Sequence, residues 1–252
     1  MKNTGIIIKY QEADYIAGTL PYEDLCDNWT LYLPTEERQH SVYFDTMACV
    51  TFSALNIIET QLNFLLATNK IPEIAIKELT ELGYIINNKF EFSDRFTAKM
   101  SGTTRKGNYL QKVWDSIKHG GLLPESDWAY PRDQRTPIFD WDDYYQEIPQ
   151  ELKDKAKKIL DYFDFAYEWE YQNKLTSYKE DEIENIKRQL RQAPLQIASP
   201  TCNWKSDVVE PCGKTTASHA TMIYQIDNYI YDYDSYEKYI KKLSLNYIIP
   251  WI

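Results

Sequence analysis

Residues 45–67 read "DTMACVTFSALNIIETQLNFLLA" and form the longest apolar segment of the chain. Over residues 50–66, apolar side chains recur at the helical period on a broad face, which predicts a central, largely buried helix. Asp45 and Thr46 are expected to cap this helix, so that Cys49 lies in its first turn. The question is whether Cys49 fills the core or is there for its sulfur.

Both interpretations of Cys49 have a physical basis. A buried cysteine on an apolar helix usually behaves as a small hydrophobe. The first turn of a helix, however, lowers the pKa of a thiol and supplies a backbone N–H that could face an oxyanion. A thiol nucleophile also needs a base, which is usually imidazole. The sequence therefore has to supply a histidine that meets Cys49.

The chain contains three histidines. His40 lies in the polar stretch "EERQHS" and His119 lies at a helix end beside two glycines, so we expect both on the surface. His219 begins a predicted strand, "HATMIYQI", and a side chain that leaves the end of a strand can face a neighbouring lobe. A purely structural histidine remains the alternative at this position.

Composition excludes several classes of partner. The 252 residues carry a formal net charge of −10, and no cluster of Lys and Arg alternates with aromatic residues. We therefore expect neither nucleic-acid binding nor membrane-surface binding. No signal peptide is visible at the start, and Glu59 and Gln61 interrupt even the longest apolar run, so we expect a soluble protein.

The four cysteines, Cys26, Cys49, Cys202 and Cys212, are scattered, with no CxxC and no paired histidine spacing. This pattern argues against a zinc site, and we expect no metal and no cofactor. In a chain of this length, four cysteines are typical of reduced thiols in a reducing compartment. We therefore expect a cytoplasmic protein, or one within a viral particle, that is not secreted by a signal peptide.

The first half of the chain is predicted to be mainly helical. A second helix is expected at about residues 71–82, ended by Gly83, and another in "YLQKVWDSIKHGG", closed by Gly120 and Gly121. The second half contains strand patterns, after a helix that is opened by a capping box of Ser177 and Glu180. The expected strands are "FAYEWEYQ", "APLQIAS", "HATMIYQI" and "NYIYDYDSY".

This change along the chain predicts an α+β protein with two lobes. The helical lobe is expected at about residues 20–150, and the β-rich lobe at about residues 160–245. We expect both to form a single domain over residues 1–252.

Six segments follow one another along residues 20–236: "LPYEDLCDNW", "ACVTFSALN", "FEFSDRF", "GNYLQKVWDSIKHGGLLPESDWAYP", "IKRQLRQAPLQIAS" and "PCGKTTASHATMIYQIDNYIYDYDSY". In this order they resemble the papain-like cysteine peptidases, whose corresponding motifs include "SCWAFS" at the nucleophile helix and "NSWG" near the end. The resemblance lies in pattern rather than in close identity. The Lys, Asn, Ile and Tyr content is typical of phage or low-GC bacterial genomes.

The resemblance implies a papain-like two-lobed fold with a helical lobe, a central nucleophile helix and an antiparallel β-rich lobe. Cys49 takes the place of the nucleophile, His219 that of the general base, and Asp234 that of the asparagine that orients the imidazole. The fifteen residues from His219 to Asp234 fit one strand, a turn and a return strand. A plain turn residue remains the alternative for Asp234.

The match departs from the family at two places. Gln39 lies ten residues before Cys49, so it fits the oxyanion-hole glutamine only if the intervening loop carries an insertion. In the glycine pair that lets a substrate backbone approach, Gly107 matches the first position and Asn108 replaces the second. Antiparallel pairing with a peptide is still expected there, with more crowding.

Three functions follow as hypotheses. The first is a cysteine peptidase or amidase that acts on a peptide or protein through a Cys-His-Asp triad and a thioester. The second is a papain-fold assembly protein, such as a phage virion component, with weakened or lost catalysis and protein partners. Its support is the uncertain oxyanion donor, the missing pro-region and the Lys-, Asn-, Ile- and Tyr-rich composition with 21 tyrosines. The tail "YEKYIKKLSLNYIIPWI" adds to it, since it is expected to dock onto a partner. The third is a transferase or deamidase with the same triad.

Overall fold

The computed structural model describes residues 26, 28–40, 43–129, 140–167, 180–201, 203–212, 217–236 and 238–247. The α-helices among these residues are α1 (Cys49–Ala67), α2 (Glu73–Glu81), α3 (Asp94–Met100), α4 (Leu110–Gly120), α5 (Trp141–Tyr144), α6 (Gln150–Ala156) and α7 (Glu180–Leu190). The strands are β1 (Ile85–Ile86), β2 (Lys89–Phe90), β3 (Leu195–Ser199), β4 (His219–Ile226), β5 (Ile230–Tyr233) and β6 (Ile240–Leu243).

Helix α1 is the central element of the core. Its side chains from Cys49 to Thr60 are all buried, and it packs against β4, β3 and a short 3₁₀ helix at Trp29–Tyr32. Trp29 is 1% exposed, and its indole N–H donates to the carbonyl of Leu190 at 2.6 Å. The predicted central helix is therefore confirmed.

The predicted caps of α1 are wrong, although Cys49 does lie in the first turn. The residue before the helix is Ala48, which has no side-chain cap. One oxygen of Asp45 instead accepts the backbone N–H of Met47 at 2.8 Å. The Thr46 hydroxyl donates to the carbonyl of Gln39 at 2.8 Å. Both polar side chains stabilise the loop before the helix rather than the helix end itself.

The length of α1 corrects one expectation. By length and composition alone, Cys49–Ala67 is apolar enough to cross a membrane, despite Glu59 and Gln61. In the structure, 78% of this apolar span is buried inside the protein. Such burial is typical of a core helix, which is apolar because protein surrounds it.

The second half of the chain forms an antiparallel sheet in the order β3-β4-β5-β6. In this sheet Ser199 lies opposite His219, and Asp232 lies opposite Lys241. Strands β3, β4 and β5 confirm the predicted strands "APLQIAS", "HATMIYQI" and "NYIYDYDSY". Strand β6 was not predicted, because its segment was expected to be an exposed tail. Since Leu243 is fully buried and Tyr247 is 2% exposed, this expectation is wrong for residues 240–247.

Smaller elements differ in their agreement with the predictions. Helices α2 and α4 confirm the two predicted helices that end at glycines. The two-residue strands β1 and β2 form a hairpin that was not predicted. Residues 165–167 of the predicted strand "FAYEWEYQ" are not in a strand, and the rest of it lies outside the described residues, as do Ser177 and residues 20–25. The division into lobes within one domain over residues 1–252 stays a prediction.

The cysteines are not all reduced. Cys26 and Cys49 are free and buried, whereas Cys212 is disulfide-bonded. Cys202 lies outside the described residues. The expectation of four reduced thiols is therefore wrong, and the cytoplasmic or viral location, which partly relied on it, stays a prediction.

Candidate active site

Cys49 lies at the start of α1, where backbone N–H groups have no partner within the helix and the helix dipole is positive. Its side chain is completely buried. It belongs to the same apolar cluster as Ala217 and Ala220, which flank the start of β4. The fold therefore brings the start of the apolar helix to the start of the strand that carries His219.

The loop before Cys49 is held by its own polar groups. His40 and Asp45 form an antiparallel bridge within this loop. Met47 has a φ of 57°, a left-handed conformation that a non-glycine residue adopts only at a cost. The hydrogen bond from the Met47 N–H to Asp45 supports this conformation two residues before Cys49.

His219 and Asp234 are in direct contact. Nε2 of His219 donates to Oδ1 of Asp234 at 2.6 Å, and both side chains are fully buried. His219 is the first residue of β4, and Asp234 directly follows β5, which pairs with β4. The two side chains therefore meet at one end of a hairpin, as the fifteen-residue spacing predicted.

The other ring nitrogen of His219 is available for Cys49. Nδ1 has no well-formed hydrogen bond, but the Cys49 sulfur is close enough to favour a charged imidazole. Burial opposes this charge most strongly, and the Asp234 carboxylate together with Cys49 outweighs burial and raises the pKa of His219 to about 10. An imidazolium at neutral pH is the partner that stabilises a thiolate.

Asp234 has two further donors on its second oxygen. Trp204 Nε1 donates to Oδ2 at 2.7 Å, and the Lys241 ammonium contacts the same oxygen. Although burial disfavours the charged carboxylate, His219 and Lys241 hold the pKa of Asp234 well below its usual range. Asp234 is therefore a buried, ionised carboxylate, of which one oxygen binds His219 and the other binds Lys241.

Tyr236 covers the histidine. Its ring lies 5.2 Å from the ring of His219, and its hydroxyl donates to Oδ2 of Asp45. The ring of His40 stacks on the Tyr236 ring, with the centroids 5.1 Å apart. Cys49 and His219 are both fully buried in this conformation.

The comparisons with known proteins bear on the fold alone. No model of a known protein family matches the chain, and no curated protein matches it by sequence. Xylellain, a cysteine protease from Xylella fastidiosa, matches in structure with a TM-score of 0.60 and 17% identity, over 99% of this chain and 94% of its own. The chain has the papain-like fold.

A second papain-like structure agrees with this assignment. The proform of the Amb a 11 cysteine protease, a major ragweed pollen allergen, has a TM-score of 0.51 and 14% identity, over 90% of this chain and 65% of its own. At identities this low, the two structural matches show the papain-like fold and the α+β class. The roles of the individual residues are not tested by them, and neither is a phage or low-GC origin.

Gln39 is fully buried in the loop before Cys49. The amide donates to Oδ1 of Asp45 at 2.9 Å and accepts from the Ser235 hydroxyl at 2.9 Å. The role of Gln39 as an oxyanion donor stays a prediction, because its hydrogen bonds to Asp45 and Ser235 support the loop before Cys49.

Gly107 and Asn108 occupy a tight loop. Gly107 has a φ of 98° and exchanges backbone hydrogen bonds with Thr104. The Asn108 side chain is 2% exposed and binds Ser101 and Thr103, so it points into its own loop. It therefore does not add the expected crowding, and substrate binding at this pair stays a prediction.

The two remaining histidines differ in their exposure to solvent. His119 is exposed at the end of α4, as expected. The expectation of a surface position for His40 is wrong, since it is half-buried against Tyr236. Among the described residues, no group of three or more His, Cys, Asp or Glu side chains is arranged to hold a metal ion.

Sequence reasoning missed three residues that contact the His219–Asp234 pair. Tyr236 could have been found, since the segment "DSY" aligns it with the tryptophan of the family motif "NSWG". Trp204 carried no signal, because its loop matches no motif. Lys241 carried none either, because a lysine on a short strand normally faces solvent.

Proposed function

We propose that this chain is a papain-like cysteine peptidase or amidase that acts on a peptide or protein. Cys49 is the nucleophile, His219 the general base and acid, and Asp234 the residue that orients the imidazole. The observation that carries the proposal is the chain of contacts at one point of the fold. A free thiol at the start of a helix is electrostatically coupled to a histidine whose other nitrogen is bound by a carboxylate.

The proposed reaction is acyl transfer in two steps. The Cys49 thiolate attacks the amide carbonyl, a C–S bond forms, and the negative charge moves to the carbonyl oxygen. The His219 imidazolium then gives its proton to the leaving amine as the C–N bond breaks, which leaves a thioester. A water molecule gives a proton to His219 and attacks the thioester, the C–S bond breaks, and the acid is released, which restores the Cys49 thiolate and the His219 imidazolium.

The oxyanion has two candidate donors. The backbone N–H of Cys49 lies at the start of α1, where no intrahelical acceptor exists. The second is the Gln39 amide, which lies in the loop that leads to Cys49. Loss of one such donor typically lowers the rate about a hundredfold or more.

A thiol-directed epoxide tests the proposal. We expect it to label Cys49 in the wild-type protein and to fail after His219→Ala, because the thiolate needs the imidazolium. Cys26 is the matched control, since it is also a buried thiol outside any disulfide, and its sulfur donates to the carbonyl of Asn28. Equal labelling of Cys26 and Cys49, or no peptide cleavage across a diverse substrate library, would contradict the proposal.

The other hypotheses have less support. The assembly hypothesis drew partly on the tail at residues 236–252, of which residues 240–243 and 245–247 form β6 and a 3₁₀ turn, while residues 248–252 lie outside the described residues. Transfer of the acyl group to an acceptor other than water stays a prediction. Mass spectrometry of the products, with and without an added amine, distinguishes hydrolysis from transfer.

A further inference from the structure

Strand β6 has an unusual pattern of exposure. Ile240 and Lys242 face solvent, whereas Lys241 and Leu243 face the interior. The Lys241 side chain is only 5% exposed, and its ammonium contacts Asp234 and the carbonyl of Lys238. Burying an ammonium is costly unless it is paired and hydrogen-bonded. Burial of the Lys241 ammonium on this strand costs desolvation free energy and places a positive charge beside the candidate triad.

Lys241 and His219 bind opposite oxygens of one carboxylate. Oδ1 of Asp234 accepts from His219 at 2.6 Å, and Oδ2 contacts the ammonium and accepts from the Trp204 indole. The Lys241 ammonium also lies 5.4 Å from the Trp204 ring. Lys241 therefore reaches His219 only through Asp234, and it fixes the orientation of the carboxylate between them.

The electrostatic consequence follows from the residue that Asp234 replaces. A bare carboxylate would hold the imidazolium much more strongly than a neutral amide would. An imidazolium held too strongly gives up its proton to the leaving amine less readily. A second cation on the same carboxylate offsets this excess of negative charge.

We propose that Lys241 is a positioning residue that neutralises Asp234, so that the two side chains together give His219 an acceptor equivalent to a neutral amide. This inference rests on the proposed function, because it deepens the role of the same site. It predicts that Asp234 and Lys241 are functional only as a pair.

Other ionisable groups also face this site, and the test must hold them constant. They are Cys49 on α1, Asp45 before α1, Asp232 on β5, and Tyr236 and Tyr247 beyond the strands. None of them is altered in the variants below, but the pKa of Asp232 depends on both Asp234 and Lys241, so the Asp232 carboxyl is titrated by NMR in every variant beside the His219 ring.

The experiment compares Lys241→Met, Asp234→Asn and the double variant, with Lys242→Met as the matched control. Lys242 is the next residue on β6, and it is exposed beside the Tyr229 ring. Besides the Asp232 titration, two quantities are measured for each: the acid limb of Cys49 alkylation against pH, and the titration of the His219 ring by NMR. Circular dichroism confirms that each variant is folded.

Removal of the ammonium strengthens the pull of Asp234 on the imidazolium. For Lys241→Met we expect the acid limb and the His219 titration both to move up by about one pH unit, because loss of the cation disfavours the thiolate and favours the imidazolium. Asp234→Asn leaves the ammonium unpaired beside His219, so both quantities should move in the opposite direction. In the double variant both should return to within a few tenths of the wild-type values, and Lys242→Met should not move them.

The proposal is overturned if Lys241→Met leaves both quantities unchanged, since a merely structural lysine would alter stability alone. It is also overturned if the double variant is no closer to wild type than Asp234→Asn. Should Lys241→Met not fold, Lys241→Gln must show the same shifts. If the wild-type protein cleaves no peptide, the proposed function fails, but the His219 titration still decides the role of Lys241.

Discussion

Asp232 provides a sharp test of the electrostatics of the sheet. It lies on β5, two residues before Asp234 and opposite Lys241 on β6, and it is fully buried. Lys241 binds Asp234 instead, and neither carboxylate oxygen of Asp232 has a well-formed hydrogen bond among the described residues. Burial and the Asp234 carboxylate raise the pKa of Asp232 from 3.8 to about 7, although Thr221 and Lys241 oppose this.

The direction and size of the effect on stability follow from linkage. Between pH 4 and pH 7 the folded protein keeps a proton on Asp232 that the unfolded chain has lost. The free energy of unfolding therefore falls as the pH rises through this window. A pKa that moves from 3.8 to about 7 corresponds to a loss of about 4 kcal/mol, which is complete above pH 7.

Asp232→Asn removes this dependence, because the amide is neutral at every pH. We expect the variant to gain about 4 kcal/mol relative to wild type between pH 4 and pH 8. The measurement is guanidinium unfolding at several pH values, with linear extrapolation to water. Asp142→Asn is the control, since the Asp142 side chain is 93% exposed, and it should stay parallel to wild type. A difference between Asp232→Asn and wild type that is constant within about 1 kcal/mol from pH 4 to pH 8 would refute the reasoning.

Two further substitutions test the packing of the fold. Gly121 has a φ of 73°, and an added Cβ would lie 2.1 Å from the carbonyl oxygen of Ala156, so Gly121→Ala should lower the free energy of unfolding by more than about 2 kcal/mol. Gly102→Ala is its control, because Gly102 has a φ of 75° with nothing nearby, and it should cost only about 1 kcal/mol; equal losses in urea unfolding would contradict this. Trp204→Phe keeps a ring but removes a donor to Asp234, so it should cost about 1.5–3 kcal/mol, and a loss below about 0.5 kcal/mol would count against the bond.

The elements that the sequence predicted share one property, which is that most of their side chains are buried. Helix α1 buries every side chain from Cys49 to Thr60, and strand β4 buries every side chain from His219 to Tyr224. The hairpin β1–β2 was missed because two-residue strands have no period. A signal did exist in its turn, where Asn87 and Asn88 both have positive φ, since adjacent asparagines favour the tight turn of a hairpin.

Strand β6 could not be predicted from its own residues. In "IKKL" the isoleucine is exposed and the first lysine is buried, which inverts the usual pattern. The inversion depends on Asp234, which lies seven residues before Lys241 and offers a buried carboxylate to it. Local pattern therefore fails wherever a buried charge is paired with another element rather than placed by hydrophobicity.

Long-range packing, which the local motifs do not specify, brings the residues of the candidate site together. A cysteine on an apolar helix and a histidine on a strand are each most often structural, and their spacing along the chain does not predict that they meet. Gln196 on β3 connects the two elements, since its amide donates to the Ser53 hydroxyl at 2.6 Å and to the carbonyl of Val50 at 3.0 Å on α1. Because β3 pairs with β4 in register, this contact fixes where the first residue of β4 meets the first residue of α1. The order of weak matches along the chain was informative because it specified this packing, which no single motif could.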